Sequence, residues 1–340
     1  MKILLDVMGG DHCPDEAIKG AVTALGRIEG DIILIGNEQI INEKSKEFFG
    51  KEIKQVSSRL SIAHAPDVIE NTDIPLEAIK TKKQASMIKG FEMVKNGEGD
   101  VLISSGNTGA FMAGGLLLVG RIKGIDRPAI TALMPAYNGC VLLIDAGANT
   151  NCRPINIEQF AMMGSIYMDK IMHIDNPRVG LLNIGAEETK GTDLTKESIL
   201  KLKENKKLNF IGNIEGRYVF DGNVDVVVSD GFSGNVALKI AEGVGLLINK
   251  MLKEELLKNP ITKAATMLLM KPLKSFKKRT DYTEYGGGIL MGISKCLVKC
   301  HGGAKEKSFV STIVQAENYV KSNAIAFIKK ELDHSDDTNT

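Results

Sequence analysis

The stretch DVLISSGNTG, Asp100 to Gly109, passes from a short apolar run directly into a loop of small polar residues and glycine. The run Asp100–Ser104 has the length and apolar continuity of a strand buried on both faces. A helical spacing of apolar residues follows the loop. The same passage recurs four times, in DVMGGDH at 6–12, DAGAN at 145–149, NIGAEETKG at 183–191 and SDGFSGN at 229–235. Outward from these, the strands expected are Lys2–Asp6, Asp31–Ile35, Leu60–Ala63, Asp100–Ser104, Ile130–Met134, Val141–Asp145, Arg178–Asn183, Leu208–Gly212 and Val224–Ser229. Helical patterns lie between them, as at Asp15–Arg27, Ser86–Lys95, Ile155–Met172 and Asp193–Glu204. Strand alternating with helix gives an α/β fold with a mostly parallel sheet between two helical layers.

Composition narrows the function. Lys+Arg number 43 and Asp+Glu 42 over 340 residues, a net charge of +1, without the basic excess of a nucleic-acid binder. Aromatics are 5% and Trp is absent, so base-stacking platforms are not expected. No apolar run approaches the roughly 18 residues of a spanning helix, and MKILLDVMGGDH lacks a secretory h-region. Five scattered cysteines make no disulfide framework, which points to a reducing cytoplasm. A single domain over 1–332 is expected, with a polar tail at 333–340. The segment 258–279 stands apart: basic, free of acids, and interleaved with apolar residues.

Glycine is the outlier, at 35 residues. In an open α/β sheet, ligands sit in the crevice beyond the carboxyl ends of the strands. Glycine lets backbone approach a ligand, and a helix starting after such a loop offers N–H groups and partial positive charge. Ser, Thr and Asn add neutral donors. Together these parts suit an anion, phosphate above all. The same residues also serve as helix caps and turns. The usual fingerprints are missing: G-x-x-x-x-G-K-[ST], G-x-G-x-x-G, G-x-S-x-G and H-E-x-x-H. Cys296, Cys300 and His301 are close in sequence but have no second ligand cluster, so no metal is expected. Cys13 and Cys152 lie in the loops without a visible partner base.

As a set, the loops resemble one family, the bacterial phosphate acyltransferases of phospholipid synthesis (the PlsX type). The matching segments are DVMGGDHCP at 6–14, HAPDVIENTDIPLEAIKTKKQASM at 64–87, SSGNTGAFMAGGLLLVGRIKGIDRPA at 104–129 and DAGANTNCRP at 145–154. NPRVGLLNIGAEETKGTDLTKE at 176–197, NFIGNIEGR at 209–217, VDVVVSDGFSGNVALK at 224–239 and HGGAKEKSF at 301–309 continue the match. Departures fall at Ala85, Gly216 and the two residues after His301-Gly302.

The resemblance implies transfer of a fatty acyl group from acyl carrier protein to inorganic phosphate. The acyl phosphate so made feeds a membrane glycerol-3-phosphate acyltransferase. It also implies a two-lobed α/β/α homodimer, similar to isocitrate and isopropylmalate dehydrogenases and to phosphotransacetylase, without metal or nicotinamide and with peripheral membrane contact. A phosphotransacetylase-like enzyme of the same fold, or a non-catalytic carrier-binding module, is the alternative. Phosphate is itself the nucleophile, so the enzyme must hold an anion against a thioester and stabilise an oxyanion. Lys190, the one lysine in the five loops, and Asn235, at a helix start, are the catalytic candidates. Ser105, Asn107, Thr108, Asn149, Asn183 and Ser233 are candidate phosphate donors. Asp6, His12, Ser86, Asp145 and His301 rank behind them. Helices over Ser233–Leu257 and Ser308–Leu332 are expected at the dimer interface. Within 258–279, Leu268, Leu269, Lys271 and Lys274 are expected to face a membrane.

Overall fold

The computed structural model describes residues 1–280 and 285–336. Its strands are β1 (Lys2–Asp6), β2 (Asp31–Gly36), β3 (Leu60–His64), β4 (Val101–Ser104), β5 (Ala129–Ala136), β6 (Gly139–Ile144), β7 (Arg178–Asn183), β8 (Asn209–Glu215), β9 (Val226–Val228), β10 (Gly288–Met291) and β11 (Cys296–Lys299). They form one sheet in the order β3-β2-β1-β4-β11-β10-β5-β6-β9-β7-β8. Only the β11–β10, β10–β5 and β5–β6 pairings are antiparallel, so the sheet is mostly parallel as expected. β10 and β11 were not expected. Gly286–Gly288 and Gly292 disguise them as loop, because glycine weakens the strand signal.

The helices are α1 (Asp15–Ala24), α2 (Glu38–Phe49), α3 (Ile53–Val56), α4 (Pro75–Thr81), α5 (Ser86–Asn96), α6 (Thr108–Gly114), α7 (Pro154–Lys170), α8 (Asp193–Glu204), α9 (Gly231–Leu256), α10 (Pro260–Leu268), α11 (Met270–Thr280), α12 (Glu306–Lys321) and α13 (Ala324–Asp336). The expected single helix Ser308–Leu332 is thus two. Asn323 adopts φ 55°, a left-handed conformation in which a helix cannot continue. The tail expected to be separate is helical as far as Asp336, and 337–340 lie outside the described residues.

Side chains alternate across the strands, so each strand feeds two cores. Ile3 and Leu5 belong to the core that also takes in Ile18 of α1, Phe160 of α7 and Phe309 of α12. Leu4 points the other way, to Phe91 of α5 and Phe111 of α6, whose rings lie 5.5 Å apart. Each such side chain contributes about 1.5–3 kcal/mol on burial. This two-sided cover explains why the strands read as unbroken apolar runs.

α9 differs. Among its 26 residues only Gly231 and Gly234 are buried. Ile240, Val244, Leu247 and Met251 recur at helical spacing and are all about half exposed or more. No spanning segment was expected, yet α9 is long and apolar enough to cross a membrane by length and composition. Glycines and scattered charges within it hide this length in the sequence.

Candidate anion-binding site

The five loops do not open on one edge. β10 is antiparallel to both neighbours and β6 is antiparallel to β5, so the polarity of the sheet reverses across its middle. The carboxyl ends of β1, β4 and β11 leave by one edge. Those of β6, β9 and β7 leave by the other. Sequence shows strand–helix alternation but not strand direction, so the single crevice expected for all five loops becomes two groups.

On the first edge, Asp6 is turned inward. Its carboxylate accepts from Ser86 Oγ and Ser104 Oγ, each at 2.7 Å, and from the Met8 and Gly9 N–H groups. Gly9 is required because a Cβ there would come within 2.7 Å of Gly106 Cα. Ser105 donates its hydroxyl hydrogen to the Gly9 carbonyl. Asn107 caps α6 through Oδ1 and turns its amide hydrogens to the carbonyls of Glu70, Asn71 and Asp73 at 3.1–3.3 Å. Asp6, Ser86, Ser105 and Asn107 therefore build the loops. Thr108 and His12 remain exposed at the rim. Burial pushes the Cys13 thiol up to about 12, so it carries no thiolate at neutral pH.

Sequence reasoning missed Lys299, the last residue of β11. It is 6% exposed and donates to the Cys300 carbonyl at 2.6 Å. Burial pushes its ammonium down to about 8. The one signal was a lysine inside the apolar run CLVKC. Two residues on, His301 accepts from the Gly303 N–H at 3.1 Å and meets Lys239 Nζ at 3.5 Å. Burial and the Lys239 charge both lower its pKa. α9 starts at the opposite edge, and this contact ties the two groups of loops together. Cys300 Sγ lies 3.4 Å from Thr312 Oγ1, and burial raises its pKa.

On the second edge, β6, β9 and β7 are neighbours, so their loops lie side by side at strand spacing, about 4.8 Å. Asp145 is fully buried. It accepts from the N–H groups of Ile130, Gly147, Ala148 and Asn149 and from Asn149 Nδ2. Burial holds its carboxyl above the ordinary carboxylate range, against the pull of the Ala148, Asn149 and Ile130 donors. Asn149 gives its other amide hydrogen to Pro128 O at 2.8 Å. It is thus a scaffold rather than a ligand donor. Asn183 bridges Lys190 O at 3.1 Å and the Ile184 N–H at 2.8 Å, closing the 183–191 loop. Lys190 is exposed, and no carboxylate lies within ion-pair distance of it among the described residues.

The N-terminus of α9 offers no open backbone donor. Gly231 N–H goes to Asn149 O, Phe232 and Ser233 N–H to Asp230 Oδ1, and Gly234 N–H to Asp230 O. What this helix end presents is side chains. Asn235 is exposed and lies against Gly147, whose φ of 141° is a conformation that favours glycine. Ser233 is half-buried beside it. Asp145 and Asp230 face inward onto N–H groups. Lys190, Ser233 and Asn235 are left to the outside, a cation and two neutral donors on one edge. Cys152, also near this edge, is held by burial at about 11 and is not a nucleophile at neutral pH. No cluster of three or more His, Cys, Asp or Glu suited to a metal occurs among the described residues.

The profile of the family described as "Fatty acid synthesis protein" matches residues 1–327. A phosphate acyltransferase of Thermoanaerobacter pseudethanolicus is 46% identical over 338 residues, 99% of each chain. One from Clostridium novyi is 44% identical over 335 residues, covering 98% of this chain and 99% of its own. Among solved structures, a phosphotransacetylase from Streptococcus pyogenes superposes with a TM-score of 0.61 at 15% identity, over 94% of each chain. A branched-chain phosphotransacylase from Enterococcus faecalis gives 0.57 at 15% identity, over 94% of this chain and 99% of its own. These two share the fold. The near-complete match to the family profile and the 44–46% identity to its curated relatives establish that the chain belongs to the phosphate acyltransferases of the fatty acid synthesis protein family.

Proposed function

We propose that the enzyme transfers a fatty acyl group from the thioester of acyl carrier protein to inorganic phosphate. A phosphate oxygen attacks the thioester carbonyl, the new C–O bond forms, and the C–S bond breaks. The proton of the hydrogen phosphate ends on the departing thiol, so no outside reductant or base is consumed. In this reading the Lys190 ammonium holds the phosphate dianion, and Asn235 Nδ2 donates to the oxyanion of the tetrahedral intermediate. Ser233 is a further donor, while Thr108, on the first edge, lies outside this site. The observation that carries the reading is the second edge itself: its aspartates are engaged by N–H groups, while Lys190, Ser233 and Asn235 face outward.

The product is an amphiphile, and a membrane glycerol-3-phosphate acyltransferase is its proposed consumer. The protein works in the cytoplasm as a homodimer touching the membrane from one side. Incubation with acyl-carrier protein and labelled phosphate is expected to give a hydroxylamine-sensitive acyl phosphate. No labelled product from any chain length would sink the reading. Efficient use of short acyl-coenzyme A, with the carrier thioester left untouched, would favour a phosphotransacetylase.

A further inference from the structure

On the side of the first edge, α1, α11 and the start of α12 enclose an open cleft of about 620 Å³. Its cations are Arg27, Lys278, Lys305 and Lys307, and its acids are Glu16 and Glu306. Both acids are already engaged. Glu16 accepts from the Glu306 N–H at 3.0 Å and from Lys19 at 3.3 Å. Glu306 accepts from Thr23 Oγ1 at 2.7 Å. Arg27, Lys278 and Lys305 have no carboxylate within ion-pair distance among the described residues. In a chain of net charge +1, this is a local concentration of positive field.

The cleft also has an address. Lys305 is joined to His301 by one short turn, closed by the Ala304 N–H on His301 O at 3.0 Å. His301 touches Lys239, and Lys239 stands one helical turn, about 5–6 Å, beyond Asn235 on the same face of α9. A continuous line of residues therefore runs from the cleft to the proposed oxyanion donor.

We infer that this cleft docks the acyl carrier protein. An acidic face of the carrier lies on Arg27, Lys278 and Lys305, and its flexible arm carries the thioester along His301 and Lys239 towards Asn235. The inference rests on the carrier-dependent reaction proposed above. The cations come from three separate elements around a wide opening, which suits a charged protein face better than one small anion.

Binding of fluorescent acyl-carrier protein is measured with the wild-type chain, with Lys278→Glu/Lys305→Glu, and with Lys51→Glu/Lys54→Glu, a control of equal charge change elsewhere. The cleft variant is expected to weaken binding at least about tenfold and to lose its salt dependence. It should raise KM for the carrier thioester, leave kcat unchanged, and leave turnover of a small acyl-pantetheine thioester unchanged. The control should match wild type. Equal loss in both variants, no loss in the cleft variant, or no carrier binding by wild type each overturns the inference. Wild-type binding without acyl phosphate would instead overturn the proposed reaction and leave the docking site standing.

Discussion

Lys190 lies in the loop after β7 and Lys299 ends β11, and their surroundings give the two lysines opposite consequences. Lys190 is exposed and has no ion-pair partner among the described residues, so Lys190→Ala should leave folding intact. It should cut acyl phosphate formation by about 10²–10³-fold, as expected for a lost charge at a developing anion. A variant keeping more than about a third of wild-type activity, a loss under about 1 kcal/mol, removes Lys190 from the mechanism. Lys299 is buried, and its pKa falls from 10.5 to about 8. Below pH 8 folded and unfolded chains both hold the proton, and the folded chain carries the cost of the buried charge. Between about 8 and 10.5 the folded chain releases a proton that the unfolded chain keeps, so this group makes stability rise with pH. Lys299→Met should therefore be more stable at neutral pH by roughly 1–3 kcal/mol, allowing for the lost hydrogen bond to Cys300 O. Its stability advantage should shrink as pH rises through this window. Urea melts at neutral and alkaline pH check this; a less stable variant, or an advantage independent of pH, would refute it. Placements were legible where the local pattern decides: Lys190 lies in a glycine loop and is exposed. They were not where a partner decides: Asn107 and Asn149 look like ligand donors until Glu70, Asp73 and Pro128 are seen to hold their amides.

At the scale of elements, α10 and α11 follow from sequence better than their boundary does. Read in sequence alone, Pro260 and Pro272 interrupt the helical pattern of this segment. Pro260 instead opens α10, and Pro272 sits in the first turn of α11, where its missing N–H costs nothing. The break falls at Leu269, outside both helices. Neither helix has a buried residue, and Ile261 and Leu268 are more than four-fifths exposed. With Lys263, Lys271 and Lys274 alongside, this is the composition of an interfacial anchor. Each lysine near an anionic surface contributes about 1 kcal/mol. Leu268→Glu/Leu269→Glu should release the protein from anionic vesicles in flotation while leaving turnover of the soluble carrier thioester nearly unchanged. Undiminished flotation would remove the anchor. α12 shows the opposite case. Its apolar side, with Phe309, Ile313 and Ala316, is fully buried against α1 and the sheet, so the subunit itself uses what the sequence offered equally to a dimer.

At the scale of the molecule, alternation of strand and helix was readable except at β10 and β11, and it correctly gave an α/β sheet. Direction was not, because β10 and β5 reverse polarity through pairings between residues more than a hundred positions apart, such as Leu290 with Ile130. That reversal puts the start of α9 on one edge and sends the helix past His301 towards the other, with Ile240, Val244, Leu247 and Met251 uncovered. Contiguous apolar surface of this kind on a folded chain marks a contact site. With α12 occupied inside the subunit, the proposed homodimer would have to pair through α9, and burying four such side chains from each chain would be worth several kcal/mol before the cost of association. Wild-type protein should therefore sediment at twice 36.8 kDa at micromolar concentration. Leu247→Glu/Met251→Glu should shift it to the single mass with unchanged circular dichroism, since neither side chain supports the core. Val310→Glu/Ile313→Glu in α12 should unfold the subunit instead of dissociating it. A wild-type monomer, or a dimer that survives the α9 charges, would place the interface elsewhere and leave the bare stripe of α9 to the membrane.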